Sequence, residues 1–366
     1  MVGQLLAGVA VLCVWLWALD IPASASSGGP DVLAPAAALI EADTGAVIYE
    51  KSASQPRAIA STTKLMTAYV ALRHAPLWRV LTVQPYRPAP EETVAGIVAG
   101  ERLSVSDLLK AMLLPSGGDA ANTLAVDLGG GVSRFVGWMN AAARRLGMRH
   151  THYSTPVGLD TPGNYSTAGD LAHLARALMR DAGFAAIVDM PSARLRSGLV
   201  LPNLNDLVGR YWYVIGIKTG HTSDAGYCLV GAARRRGATV ISVVLGEGSE
   251  AARDRDSLAL LNDGLSLYRR VELITAGHVY ARVPVSDHPG VRLALVARRS
   301  VSLIVRAGSK LDVYRSGVPS SVHGPLAPHI RLAKIIVRQN GRIVARVALV
   351  SRVGLAPGAA ADAPAA

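Results

Sequence analysis

Apolar and polar positions along this chain follow two rhythms that divide it into regions before any single residue is weighed. Ala37-Ala38-Leu39-Ile40-Glu41-Ala42 and Ala46-Val47-Ile48-Tyr49 are short apolar runs on either side of Asp43-Thr44-Gly45, which predicts two strands joined as a hairpin. Leu65-Met66-Thr67-Ala68-Tyr69-Val70-Ala71-Leu72 reads as a helix, and a long helical middle follows. Three strand-like runs come next: Val214 to Lys218, Tyr227 to Ala232 and Thr239 to Leu245. Arg234-Arg235-Arg236-Gly237 joins the last two, so this basic cluster is a solvated turn and not a nucleic-acid contact. Strands at both ends of a segment with helices between them predict one antiparallel sheet packed with helices, an α/β (α+β) domain. Beyond Gly277 the rhythm changes to apolar residues alternating with polar ones, as in Val301-Ser302-Leu303-Ile304-Val305-Arg306 and Ile343-Val344-Ala345-Arg346-Val347. Gly and Pro punctuate this stretch, and Asn340-Gly341 is a strong hairpin signal, so a small all-β C-terminal domain is predicted.

The ends of the chain read differently. Leu5 to Leu19 is an uncharged apolar run followed by Pro22-Ala23-Ser24-Ala25, too short for a spanning helix and suited to an export signal cleaved after Ala25. The residues before it hold no lysine or arginine, so retention as an uncleaved anchor stays open. The resulting plan is a signal peptide over 1–25, a linker over 26–34, a catalytic domain over 35–275, a basic all-β domain over 276–352 and a disordered Ala/Pro-rich tail over 353–366. The tail has no amphipathic pattern and is not read as a membrane helix. Cys13 lies in the apolar run, which leaves Cys228 alone after cleavage. An exported chain without a disulfide must rely on a packed core, and at 366 residues and 50% hydrophobic content this one has the material. Cys228 itself reads as a small buried residue on a strand.

Charge sharpens the second region. Between Arg282 and Arg352 there are 13 Arg or Lys residues against two acids, Asp287 and Asp312, nearly the whole excess of +12. For an exported protein the electrostatic partner is an anionic membrane or wall polymer, with no nucleic acid expected; the competing reading is a generically soluble arginine-rich surface.

The candidate chemistry lies in the first region. Ser61-Thr62-Thr63-Lys64 places an amine beside a hydroxyl on one helical face, and a serine hydroxyl is a poor nucleophile until something takes its proton. Alone, an ordinary capped helix start explains that spacing. Two further segments change the balance. Leu113-Leu114-Pro115-Ser116-Gly117-Gly118-Asp119 puts a serine in a loop just before a helix. Lys218-Thr219-Gly220 ends a strand run and precedes His221, offering a cation and a hydroxyl for a carboxylate and a side-chain-free position where a substrate backbone would lie. Ser-x-x-Lys, a loop serine and Lys-Thr-Gly in this order form the set used by penicillin-recognising enzymes.

With these motifs, and with Ile40 to Gly45, Pro156-Val157-Gly158-Leu159-Asp160 and Tyr165 to Ala172, the chain resembles the serine-type D-alanyl-D-alanine carboxypeptidases, the low-molecular-mass penicillin-binding proteins, over about residues 35–275. The resemblance implies a transpeptidase/β-lactamase-like domain with a five-stranded sheet covered by helices. It also implies roles. Ser61 would be the nucleophile, Lys64 its general base with a pKa depressed by nearby Lys218, and Ser116 a proton shuttle. Lys218 and Thr219 would hold the substrate carboxylate, with Gly220 beside them, and the backbone N–H groups of Ser61 and His221 would form the oxyanion hole. No metal or cofactor is implied. The substrates would be peptidoglycan stem peptides, with β-lactams as covalent inhibitors, at an extracytoplasmic site.

Gly118 departs from the pattern, since the family usually has asparagine there, contacting the lysine and the substrate peptide group. Asp119 is not assumed to replace it. There is also no glutamate between Glu101 and Glu247, where a class A β-lactamase carries its deacylating residue, so slow deacylation of penicillin is expected. His150-Thr151-His152 lacks a third ligand at a fitting spacing and reads as surface. Thr167-Ala168-Gly169-Asp170 reads as a capping box. Trp212-Tyr213 is left open between groove lining and packing. The alternative to a carboxypeptidase is a weakened or inactive paralogue that keeps the groove and acts as a cell-wall-binding protein.

Overall fold

The computed structural model describes residues 14–20, by their backbone, and residues 29–357. The chain divides into two compact units, one formed by Ser26–Ser266 and the other by Leu267 onward together with the N-terminal residues.

The first unit is built on a five-stranded antiparallel sheet. Its strands are β1 (Ala36–Glu41), β2 (Val47–Lys51), β3 (Val214–Thr222), β4 (Gly226–Arg235) and β5 (Ala238–Glu247), in the spatial order β2-β1-β5-β4-β3. The expected β1–β2 hairpin is closed by Glu41, whose carboxylate accepts the N–H groups of Asp43 (2.9 Å) and Thr44 (2.6 Å), while Gly45 supplies a positive φ of 78°. At the β4–β5 connection Arg236 and Gly237 both have positive φ, the conformation a two-residue hairpin needs, so they form the turn, while Arg234 and Arg235 belong to the end of β4.

Period-two alternation sorts the sheet residues onto two faces. Ala36, Ala38, Ile40, Cys228, Val230, Ala232, Ile241, Val243 and Leu245 enter the main core with α1 (Lys64–His74), α2 (Val105–Leu113), α3 (Gly118–Gly129), α4 (Val132–Arg145), α5 (Ala168–Leu178) and α6 (Ala182–Val188). On the opposite face, Leu39 and Val240 meet α7 (Glu250–Ser266). A Cβ on Gly264 would lie 3.0 Å from Leu39, so the missing side chain lets this helix approach closely. Both faces of β5 are therefore covered, which is why it reads as an unbroken apolar run. Thr167 caps α5 as expected, accepting the Asp170 N–H at 3.1 Å. The segment expected as a free linker is partly tied down: the Asp256 carboxylate accepts the N–H groups of Leu33 (2.6 Å) and Ala34 (2.9 Å).

The second unit is all β. Its six-stranded sheet runs Val14–Asp20, Lys310–Ser316, Arg331–Gln339, Arg342–Ser351, Arg292–Ala297 and Val279–Pro284 in spatial order, and Tyr268–Ile274 pairs with Val301–Arg306 in a separate ribbon. Leu295, Val305, Val313, Ile335, Val337, Val347 and Leu349 fill its core from alternate positions. Asn340 and Gly341 turn the Arg331–Ser351 hairpin with positive φ at both. Tyr268–Ile274, which falls before residue 276, thus pairs within the β unit. Val14–Asp20, part of the expected signal segment, is paired as a strand; the rest of that segment lies outside the described residues, as does the expected tail from 358. Within the tail, Leu355 still exchanges backbone hydrogen bonds with Leu326 (2.8 and 3.1 Å), so chain order extends past 353.

Candidate active site

The Ser61–Lys64 segment is not a plain helix start. Ala60 takes a positive φ of 47°, Ala60–Thr63 forms a 3-10 turn, and α1 begins only at Lys64. The turn is fixed from several sides. Thr62 Oγ1 donates to the Ile59 carbonyl (2.6 Å), Asn164 donates to Thr63 Oγ1 (3.1 Å), and Thr67 donates to the Pro156 carbonyl (2.7 Å). Gly158 lies against it with a φ of 88°; a Cβ there would come within 2.2 Å of the Ala60 carbonyl oxygen, so only glycine permits this contact. The same segment supplies the Val157 carbonyl that accepts from Lys64 Nζ at 2.7 Å. Lys64 Nζ also lies 2.9 Å from Ser61 Oγ. The spacing read from the sequence therefore becomes direct contact.

Lys64 is 1% exposed, and burial lowers its pKa from the ordinary lysine value to about 8, against the opposing charges of Glu92 and Asp119. Lys218, also 1% exposed, is pushed well below the lysine range first by burial and then by the positive charges of Lys64 and Arg253. The sequence reading assigned the Lys64 depression to Lys218. Burial is the larger cause, and the repulsion between the two amines is expressed at Lys218.

Ser116 stands in a positive-φ conformation (65°) with its Oγ buried and unpartnered, and Lys218 Nζ is likewise buried without a hydrogen-bond partner. Desolvated polar atoms held open in this way cost stability unless a ligand meets them. Ser61, Ser116, Thr219, Gly220 and His221 line one cleft of about 220 Å³. β3 is the edge strand of the sheet, so a row of its backbone groups lacks a ladder partner. The space vacated at Gly220 is taken by the Ala60–Thr63 turn itself: a Cβ would sit 3.1 Å from both Ala60 Cβ and the Ser61 nitrogen. Glycine here fits β3 against the turn, which is a different reason from the one the sequence offered. Asp160 secures the end of β3 by accepting from Thr222 Oγ1 (2.6 Å) and the Asp224 N–H (3.1 Å).

The model of the peptidase family described as D-alanyl-D-alanine carboxypeptidase matches residues 23–249. The chain belongs to this family. D-alanyl-D-alanine carboxypeptidase DacA of Escherichia coli (strain K12) is 30% identical to it over 343 residues, 88% of this chain and 84% of that one. Among solved structures, the Streptomyces K15 DD-transpeptidase superposes with a TM-score of 0.61 at 35% identity, over 66% of this chain and 100% of its own. Penicillin binding protein 5 from Haemophilus influenzae does so with a TM-score of 0.62 at 26% identity, over 89% and 98%. This carboxypeptidase is thus a serine-type hydrolase with a transpeptidase/β-lactamase-like domain of sheet and covering helices and a small all-β C-terminal domain.

The cleft of this carboxypeptidase also holds residues that sequence reasoning missed. Arg253, 3% exposed, lines it from the first turn of α7 and is paired with Glu250 (2.9 Å) and Asp254 (2.7 Å). Tyr227 lines it with its ring 4.0 Å from that of His221. Glu92 enters from the loop before α2, and its Oε1 lies 1.8 Å from where a Cβ on Gly118 would be. Asp119 does not serve in its place, because its carboxylate faces the same loop and accepts the N–H groups of Ala95 (2.9 Å), Gly96 (2.9 Å) and Ile97 (3.3 Å). Trp212 and Tyr213 are not among the described residues lining the cleft; Trp212 is exposed, with its ring edge-on to Tyr213. His152 Nδ1 lies 2.5 Å from the Gly163 carbonyl oxygen. Among the described residues no cluster of metal-ligating side chains occurs, and no helix is long and apolar enough to cross a membrane.

Proposed function

We propose that the chain removes the terminal D-alanine from peptidoglycan stem pentapeptides through an acyl-enzyme on Ser61, and that penicillins acylate and inhibit it. The observation that carries this reading is the 2.9 Å contact between Ser61 Oγ and a buried Lys64 whose pKa lies near 8, because such a lysine is partly neutral at physiological pH. Neutral Lys64 takes the Ser61 proton as Oγ attacks the carbonyl of the penultimate D-alanine. The Ser61 and His221 N–H groups receive the developing oxyanion, a contribution of about 3 kcal/mol per donor. Collapse breaks the peptide bond, with Ser116 Oγ relaying a proton to the leaving D-alanine nitrogen. Water then hydrolyses the ester and frees Ser61.

Lys218 and Thr219 would meet the substrate carboxylate, and its charge would restore the proton affinity that burial removes from Lys218. With no glutamate between Glu101 and Glu247, where a class A β-lactamase carries its deacylating residue, deacylation of a bound penicillin is slow. The working place is outside the cytoplasmic membrane. There the second unit would face an anionic polymer or lipid surface through Arg298, Arg299, Arg331, Lys334 and Arg346, which line one shallow depression.

A fluorescent penicillin tests this, with Ser61→Ala as control, followed by an assay of D-alanine release. Label on Ser61 together with release supports the carboxypeptidase. Label without release supports a weakened paralogue, and no label supports a non-catalytic wall-binding protein.

A further inference from the structure

The loop over 85–98 has no helical or strand rhythm, yet it is docked onto the start of α3 by a specific set of bonds. The Gly118 N–H donates to the Thr93 carbonyl (2.8 Å), and Asp119 accepts three successive N–H groups from residues 95–97. This docking delivers Glu92 to the cleft, where it shares a wall with Ser61 and Ser116. Its carboxylate is held from behind by Tyr86 Oη, which donates at 2.5 Å, and by the Ala89 N–H at 3.3 Å. A Cβ at 118 and this carboxylate cannot occupy their present positions together, since they would be 1.8 Å apart. The glycine and the glutamate are two halves of one arrangement.

We propose that Glu92 fills the role of the side chain absent at position 118, its carboxylate accepting a hydrogen bond from the amide N–H of a bound peptide or penicillin and setting the charge beside Lys64. The inference rests on Ser61 acylation as proposed above. A carboxylate is acceptor-only, whereas an asparagine amide both donates and accepts. The site therefore favours acyl donors that present a free N–H beside the scissile bond, and it offers no side-chain donor to a carbonyl there. Glu92 also opposes the effect of burial on Lys64, keeping its proton affinity higher than burial alone would leave it. The other charges around the two amines are Asp119, Arg253 and, on the cleft wall, Glu91 and Glu250.

The test is the rate of acylation by fluorescent penicillin as a function of pH for the full chain, Glu92→Gln, Glu92→Ala and Glu92→Ala/Gly118→Asn, with thermal melting to confirm folding. Glu92→Gln keeps the acceptor and loses the charge, so the midpoint of the acid limb moves to lower pH by about half a unit while the plateau stays within about threefold. Glu92→Ala loses both, and its plateau falls about tenfold or more. The double variant restores an amide at 118 and recovers most of that loss, which a merely structural Glu92 would not allow. Wild-type rates and midpoint in Glu92→Ala would overturn the assignment, as would a Glu92→Gln effect confined to release of bound penicillin, which would make Glu92 a base for hydrolysis. A wild-type chain that takes no label at all would instead overturn the Ser61 reading.

Discussion

The two units treat the same kind of side chain in opposite ways. In the catalytic unit Lys64 and Lys218 are 1% exposed, stripped of water and shifted away from their ordinary charge state. In the β unit Arg298, Arg299, Arg331 and Arg346 stand exposed around one depression, the first two just past the end of the Arg292–Ala297 strand and the others on strands. Burial turns a cation into a reagent whose proton can be moved. Exposure leaves it a fixed charge that acts at a distance and is screened by salt. The catalytic unit bears the cost of unpartnered polar atoms, at Ser116 Oγ and Lys218 Nζ, whereas the basic groove has water for a partner.

Breaking the first half of that contrast should have the largest effect. Ser61→Ala is expected to abolish penicillin labelling, a loss of about a thousandfold or more in acylation rate measured by gel fluorescence. Lys64→Met should be nearly as damaging to acylation, yet it should raise the melting temperature at pH 7. A lysine held near 8 in the fold and near 10.5 when unfolded costs about 3 kcal/mol at any pH below 8, because the unfolded chain binds the proton more tightly. In the parent chain that cost fades as pH rises from about 8 to 10, so the stability gap to Lys64→Met should narrow over this window. Acylation by the parent should itself climb as pH rises through about 8, where Lys64 becomes neutral.

A smaller effect separates two glycines. Gly158→Ala forces a Cβ to 2.2 Å from a backbone oxygen and should cost about 3 kcal/mol or more, together with loss of labelling. Gly341→Ala, in a β-unit turn with open space around it, meets only the penalty of positive φ, about 1 kcal/mol by denaturant unfolding. Least of all for catalysis is neutralising the basic depression. Replacing Arg298, Arg299, Arg331, Lys334 and Arg346 with Gln should leave acylation in solution within about twofold, while weakening retention on anionic vesicles and removing its salt dependence.

Legibility in the sequence followed the same division. Ser61 and Lys64 were readable because three residues along a helical turn fix a distance, and Asn340-Gly341 because a two-residue turn demands positive φ at both positions. The sheet was readable because strand alternation maps directly onto its two faces. Glu92 was not, since nothing local distinguishes it from its neighbour Glu91. Its place depends on Asp119 gripping a loop more than twenty residues earlier and on the absence of a side chain at Gly118. The limit of the β unit was also hidden, because Tyr268–Ile274 takes its partner from Val301–Arg306, across an intervening hairpin. The departure at Gly118 was visible as a gap but not as a filled one.

That filled gap has a historical consequence. An asparagine arriving at 118 would meet an occupied site, and a glutamate lost from 92 would leave an empty one. Neither change alone leads back to the commoner arrangement, so the pair is entrenched: each residue now sets which substitutions the other will tolerate. A laboratory lineage selected for faster turnover should accordingly change position 92 first and position 118 second, and seldom in the reverse order.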